Sequence, residues 1–189
     1  SLTVGLNLLK DGAGDAFVSA GSTGALLSGA TLVVKRIRGI RRAAMGPQIP
    51  TAGGRAVLCD CGANAECTPE YLLQFAYLGS YYAQRVMGIE KPRVGLLNNG
   101  TEETKGPQLQ REAYALLTQA GQAGNLHFVG NTEAREVPLG QVDVIVCDGY
   151  AGNVLLKSIE GTAMFMGSMM KRMFQKNLLT KLGALCCKS

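Results

Sequence analysis

Four short segments combine glycine with small polar side chains in a way that suits an anion: Ala20 to Gly24, Asp60 to Asn64, Asn98 to Gly106 and Asp148 to Asn153. Glycine lets backbone N–H groups approach a ligand closely. Two of the segments lead directly into expected helix starts, where unpaired amides and the helix dipole favour negative charge. One such loop alone reads as a tight turn. Four together, one of them carrying Lys105, point to a phosphate-like anion. Neither GxxxxGK[ST] nor GxGxxG occurs in the chain, so the motif evidence supports neither an NTPase nor a dinucleotide enzyme.

Other chemistries find little support. His127 is the single histidine and lies in an apolar strand, where a packed ring is the simpler reading. Of six cysteines, Cys59 and Cys147 sit in apolar runs (AVLCD, VIVCD) and act as small hydrophobes. The spacing of Cys59, Cys61 and Cys67 is not that of a zinc knuckle, so no metal is expected. The cysteines read as reduced thiols. Asp60 and Asp148 divide evenly between turn-stabilising caps and site carboxylates.

The elements that must hold these loops alternate along the chain. Asp15 to Ser19 reads as a strand, Ala25 to Val34 as a helix and Arg38 to Gly54 as a Gly/Pro-containing loop. Ala56 to Cys59 is a second strand. Thr68, Pro69 and Glu70 open a helix that Gly88 closes, by capping residue, first-turn proline and first-turn acid. Arg93 to Leu97 is a strand and Gln108 to Ala120 a helix. Leu126 to Val129 and Val142 to Val146 are further strands, and a long helical region follows Gly152. Continuous apolar strands separated by helices indicate an α/β fold, a mostly parallel sheet with helices on both faces. Such sheets bind ligands at the carboxyl ends of their strands, where all four segments would lie. Residues 1–153 form the expected α/β core and residues 154–189 a helical extension of the same structural unit.

The chain has 189 residues with 47% hydrophobic and 17% charged, which excludes extended disorder. Its net charge of +5 is segregated: seven basic and three acidic residues up to Asp60, six and ten from Cys61 to Leu156, six and one thereafter. The densest basic run is Lys35, Arg36, Arg38, Arg41 and Arg42, which reads most simply as a solvated helix end and loop. It could also attract an acidic partner or an anionic membrane. Nucleic acid is not expected, because no helix-turn-helix, zinc finger or RNP-type strand accompanies the charge. No apolar run reaches the roughly 18 residues of a membrane span. The missing initiator Met and the abrupt end suggest a fragment.

AFVSAGSTGALLSGAT, DCGANAECTPEYLLQFAYLGSYYA, PRVGLLNNGTEETKG, FVGN and DVIVCDGYAGNVLLKSIEG closely resemble the phosphate acyltransferase family of bacterial phospholipid synthesis. The resemblance implies transfer of a long-chain acyl group from acyl carrier protein to inorganic phosphate. It also implies a fold related to isocitrate dehydrogenase and phosphotransacetylase, a homodimer and no cofactor. Full family members carry further sheet and helix before and after this stretch. The alternatives are a phosphotransacetylase-like enzyme acting on acyl-CoA and a non-catalytic anion- or membrane-binding module.

Phosphate is already nucleophilic and a thiol leaves readily, so the expected site holds a dianion beside a thioester and stabilises an oxyanion, without a Ser–His–Asp array. Lys105 is the expected phosphate ligand, with Asn153 donating to the carbonyl or phosphate. Ser19, Gly21, Thr23, Gly24, Asn64, Asn98, Gly106, Asn131, Asp148 and Gly152 are the expected polar wall. Lys157 could be a solvated helix residue.

Five of seven methionines fall between Met164 and Met173, equally suited to a helix–helix core, a dimer seam or acyl contact. Leu178, Leu179, Leu182 and Leu185 form a stripe flanked by Lys176, Lys181 and Lys188, an amphipathic basic helix. It suits an anionic membrane surface or acidic acyl carrier protein. The expected location is cytoplasmic, peripherally on the inner face of the plasma membrane.

Overall fold

A computed structural model describes residues 2–177, 180 and 183. Five strands form one sheet in the order β1-β2-β5-β3-β4, with β1 at Gln48–Thr51, β2 at Gly54–Cys59, β3 at Arg93–Asn98, β4 at His127–Glu133 and β5 at Val144–Val146. β5 runs parallel to both β2 and β3, and β3 runs parallel to β4. The four parallel strands therefore end at one edge of the sheet. β5, the last strand in sequence, occupies the gap that the chain leaves between β2 and β3.

Among the described residues the sheet is accompanied by α1 Leu2–Lys10, α2 Thr23–Val33, α3 Pro69–Met87, α4 Gln108–Gln122 and α5 Gly149–Phe174. α3 follows its sequence signals. Pro69 stands in the first turn, and Gly88 closes the helix at φ 73°, its N–H donating to Ala83 O. Glycine adopts that left-handed conformation without the steric cost that a Cβ brings. α3 and α4 pack on each other, and α3 lies against β2 and β5. Fully buried Leu72, Phe75, Leu117, Val94, Leu96 and Val144 form the core between them. Each such side chain contributes about 1.5–3 kcal/mol from burial. α3 crosses β5 so closely that a Cβ on Gly79 would lie 2.5 Å from Val144 Cγ1.

Two expectations are corrected. Asp15 to Ser19 forms no strand, and Val18 is 92% exposed; apolar residues alone cannot make a strand without a neighbour to pair with. The expected loop from Arg38 to Gly54 contains β1, antiparallel to β2 with Gln48 opposite Val57 and Thr51 opposite Gly54. Pro50 is tolerated there because β1 is an edge strand. α1 was not foreseen, and α5 begins at Gly149, before the expected start after Gly152.

By internal packing the chain divides into residues 1–153 and 154–189. In the second unit Met164, Phe165, Met166, Met169, Met170 and Met173 are exposed, so the described structure does not bury them in a helix–helix core. No described helix is long and apolar enough to cross a membrane. The leucine stripe at Leu178, Leu179, Leu182 and Leu185, with Lys181 and Lys188, lies outside the described residues.

Candidate active site

Three of the four glycine-containing segments leave parallel strands at the same edge: Asp60–Asn64 after β2, Asp148–Asn153 after β5 and Asn98–Gly106 at the end of β3. Asp60 is the buried hub of the first two. Its Oδ1 accepts the N–H groups of Met45 at 2.8 Å and Cys61 at 2.7 Å. Its Oδ2 accepts the backbone N–H of Asn64 at 2.7 Å and the Asn64 side-chain amide at 3.0 Å. A carboxylate has about four acceptor positions, and all are occupied. Asp60 is thus held within the framework of these loops.

The other half of the pair is equally interlocked. The N–H of Gly149 donates to Asn64 O at 2.7 Å and that of Gly62 to Gly149 O at 2.9 Å. Asp148 Oδ1 accepts the Ala151 N–H at 2.9 Å and so caps α5. Asn64 Nδ2 also donates to Ala43 O at 2.8 Å, so both its protons are engaged inside the framework. Gly152 is buried against the Asp60 main chain, where a Cβ would overlap the carbonyl. Asn153 differs. Its carboxamide lies over Gly62, is exposed, and makes no hydrogen bond among the described residues.

The loop from Asn98 to Gly106 is buckled by its own ends. Asn98 Oδ1 accepts the Asn99 N–H at 2.9 Å and Asn98 Nδ2 donates to Lys105 O at 3.1 Å. Gly106, at φ 87°, passes so close to the Asn98 amide that any Cβ would collide with it. Asn131 Nδ2, from β4, pins Glu102 O at 2.8 Å, while its Oδ1 is buried without a partner. Arg111 holds Gly106 O at 2.6 Å, and Tyr114 donates to Glu103 at 3.2 Å. Lys105 itself is half exposed and has only a loose ion pair with Glu102 at 3.8 Å. Its ammonium stands half exposed on a loop whose backbone is held by Asn98, Asn131 and Arg111.

The fourth segment stands apart. Ser19 Oγ accepts the Gly21 N–H at 3.1 Å and Ser22 O that of Leu26 at 3.0 Å, both local contacts. Thr23 and Gly24 are exposed at the start of α2. No strand precedes this segment, so the sheet does not bring it to the other three.

The thiols near the loops are held neutral. Burial, with Asp148 and Asp60 adding to it, pushes Cys67 up to about 11 against weaker lowering by the Gly149 backbone and Arg42. Burial likewise raises Cys59 and Cys147, whose Sγ donates to Asp60 O at 3.2 Å. None of these three is a thiolate nucleophile at neutral pH. His127 lies at the start of β4, the opposite edge from the loops. Arg42, read only as part of a charge run, has its guanidinium 5.8 Å over the Tyr71 ring, near enough for its charge to act on Cys67. Its nearness to the loops comes from the return of residues 43–45 to Asp60 and Asn64, which no local spacing reveals.

Known proteins resemble the chain over essentially its whole length. Residues 1–189 match the family described as "Fatty acid synthesis protein". The chain is 52% identical over 188 residues to a phosphate acyltransferase of Alkaliphilus oremlandii, covering 100% of this chain and 55% of that protein. It is 48% identical over 185 residues to a phosphate acyltransferase of Caldanaerobacter subterraneus, covering 98% and 54%. It thus spans about half the length of these curated relatives. Among solved structures, the EutD phosphotransacetylase from Staphylococcus aureus superposes with a TM-score of 0.66 at 22% identity, over 86% of this chain and 55% of that one. A branched-chain phosphotransacylase from Enterococcus faecalis gives 0.59 at 17% identity, over 84% and 63%. At these identities the structural likeness concerns the fold.

Proposed function

This chain belongs to the fatty acid synthesis protein family, and on that premise we propose that its loops transfer a long-chain acyl group from acyl carrier protein to inorganic phosphate. One observation carries the reading: the loops after β2 and β5 are locked together through Asp60, while Lys105 keeps only a long ion pair and Asn153 an exposed carboxamide with no hydrogen bond among the described residues.

Lys105 holds the phosphate dianion by charge-assisted hydrogen bonds. A phosphate oxygen attacks the thioester carbonyl carbon, and the carbonyl electrons move onto oxygen. Asn153 Nδ2 donates to that oxyanion, which exists only at and beyond the transition state. Collapse restores the carbonyl and breaks the C–S bond. The thiolate takes up, through water, the proton that hydrogen phosphate carried and the acyl phosphate loses, and the products are acyl phosphate and free carrier thiol. No base is required, because the nucleophile is already ionised.

The same reading extends to a homodimer and to peripheral association with an anionic membrane surface. The exposed Met164, Met169 and Met173 support an apolar surface that something must cover. The basic leucine stripe of the sequence supports a membrane-facing segment.

The test mixes full-length protein with palmitoyl-acyl carrier protein and phosphate and follows thiol release and acyl phosphate together. Thiol release that needs no phosphate, or release only from coenzyme A thioesters, rejects the reading.

A further inference from the structure

We propose that the segment from Lys35 to Arg42 is a docking surface for an acidic protein, the carrier that presents the acyl donor. The identity of the partner rests on the acyl-transfer reading; the existence of an acid-binding surface does not.

Lys35, Arg36, Arg38, Arg41 and Arg42 are all exposed, and no acidic residue occurs between Asp15 and Asp60. Among the described residues none of the five takes part in an ion pair. Glu70, the carboxylate whose titration Arg41 influences, is held low chiefly by the Thr68 hydroxyl. A solvated helix end would leave such a segment loosely held, yet here it is built. Gln74 of α3 brackets it with both ends of its amide, accepting the Arg41 N–H at 2.8 Å and donating to Gly39 O at 3.2 Å. The Arg36 guanidinium donates to Arg41 O, and Arg42 rests on Tyr71. The cations are presented on a framed turn, which reduces the entropy that a partner must overcome to order them.

Beside the turn is an apolar hollow of about 230 Å³ lined by Ala30, Val34, Ile37, Ile40, Ala44 and Leu78. Leu32 and Ile37 protrude beside it, while the hollow itself receives a side chain from a partner. A protein helix that carries carboxylates and an apolar side chain fits both features. The surface also connects to the active-site framework. Directly after the turn, Ala43 O accepts Asn64 Nδ2, and the Met45 N–H reaches Asp60, each at 2.8 Å. A carrier seated on the turn stands next to the loops its thioester must enter.

The test uses full-length protein and the double variant Lys35→Glu/Arg38→Glu, two residues whose side chains make no hydrogen bond among the described residues. The probe is purified holo-acyl carrier protein, titrated at low and at about 0.5 M salt, where the Debye length is only a few ångströms. The expected result is affinity weaker by at least about tenfold at low salt, with the gap closing at high salt. Phosphate-dependent turnover of a neutral acyl-pantetheine thioester should stay within about twofold of wild type. Unchanged carrier affinity overturns the proposal, as does weakened binding to phosphatidylglycerol vesicles with carrier binding intact. Loss of turnover on the neutral thioester also overturns it, because the segment then belongs to the site. If melting shows the double variant unfolded, Lys35→Gln/Arg38→Gln must show the same salt-dependent loss. Wild-type protein that binds carrier protein but transfers no acyl group rejects the acyl-transfer reading and leaves the docking surface standing.

Discussion

Gly152 packs against the main chain of Asp60 so tightly that the space a Cβ would need is already filled by the Asp60 carbonyl oxygen. This contact, made across the adjacent strands β2 and β5, packs the loops behind them directly against each other. The glycine there serves backbone approach between two protein loops. The site can then keep a few polar ends free, because the remainder of its polar groups are committed to holding it still.

Gly152→Ala should therefore destabilise strongly. The added methyl meets backbone, and at 2.8 Å the Cys147 sulfur, so the loops must separate. A cost of about 2–4 kcal/mol is expected for overpacking of this kind. Urea unfolding measures it, and an unchanged midpoint would show that the contact yields easily.

Asp60→Asn tests the hub. The amide presents an NH₂ group to donors that now share one carboxylate, Met45 N and Cys61 N on one oxygen and Asn64 on the other. At least one buried N–H loses its partner, at about 1–3 kcal/mol plus the loss of charge assistance. Amide exchange at Met45 or Asn64 should speed up well beyond that of the central strands. Activity should fall with the fold still present at low temperature.

Lys105→Ala should leave stability within about 0.5 kcal/mol, since its ion pair with Glu102 is long and exposed on both sides. Phosphate affinity should fall at least tenfold, for a charge-assisted contact is worth about 1.5–3 kcal/mol. Phosphate saturation kinetics decide it, and unchanged saturation removes Lys105 from the site.

Asn153→Ala should lower turnover on the order of 10²-fold while the phosphate KM moves little, the pattern of a donor that acts on the transition state. Its exposed carboxamide makes no hydrogen bond among the described residues, so melting should not change. A lower melting temperature with normal turnover would make it a structural residue.

Arg93 and Asp143 form a two-pronged pair, Nε to Oδ2 at 3.0 Å and Nη2 to Oδ1 at 2.9 Å, and the Arg93 backbone N–H adds a third bond at 2.8 Å. Burial pushes the Asp143 carboxyl up, but the hydrogen bonds and charge of Arg93 outweigh it and hold it below the ordinary aspartate range. A lowered native pKa stabilises fully above the unfolded value of about 3.9 and loses that contribution as pH falls through the native one. Asp143→Asn should thus cost roughly 1–2 kcal/mol at pH 7, discounted because the guanidinium is 42% exposed. The difference from wild type should narrow as pH falls below the unfolded value and close once it has passed the lowered native one. An equal penalty at both ends of that range would assign the effect to shape alone.

The sequence by itself determined the elements whose signals are local. Thr68, Pro69 and Gly88 bound α3 where the structure places it, and the apolar runs at Ala56, Arg93 and Val142 mark the parallel strands whose carboxyl ends carry the loops. Pairing decided the rest. Gln48–Thr51 is a strand only because β2 returns beside it, and Asp15 to Ser19 is none because no strand lies beside it to accept its bonds. The roles of the polar residues were equally non-local. Asn64, Asn98 and Asn153 are alike in sequence, yet Asn64 is bound to Ala43 and Asp60, Asn98 to the carbonyl of Lys105, and Asn153 faces outward. A side chain's availability to a ligand depends on whether the fold has already satisfied its hydrogen bonds, and those partners are fixed only when distant segments meet.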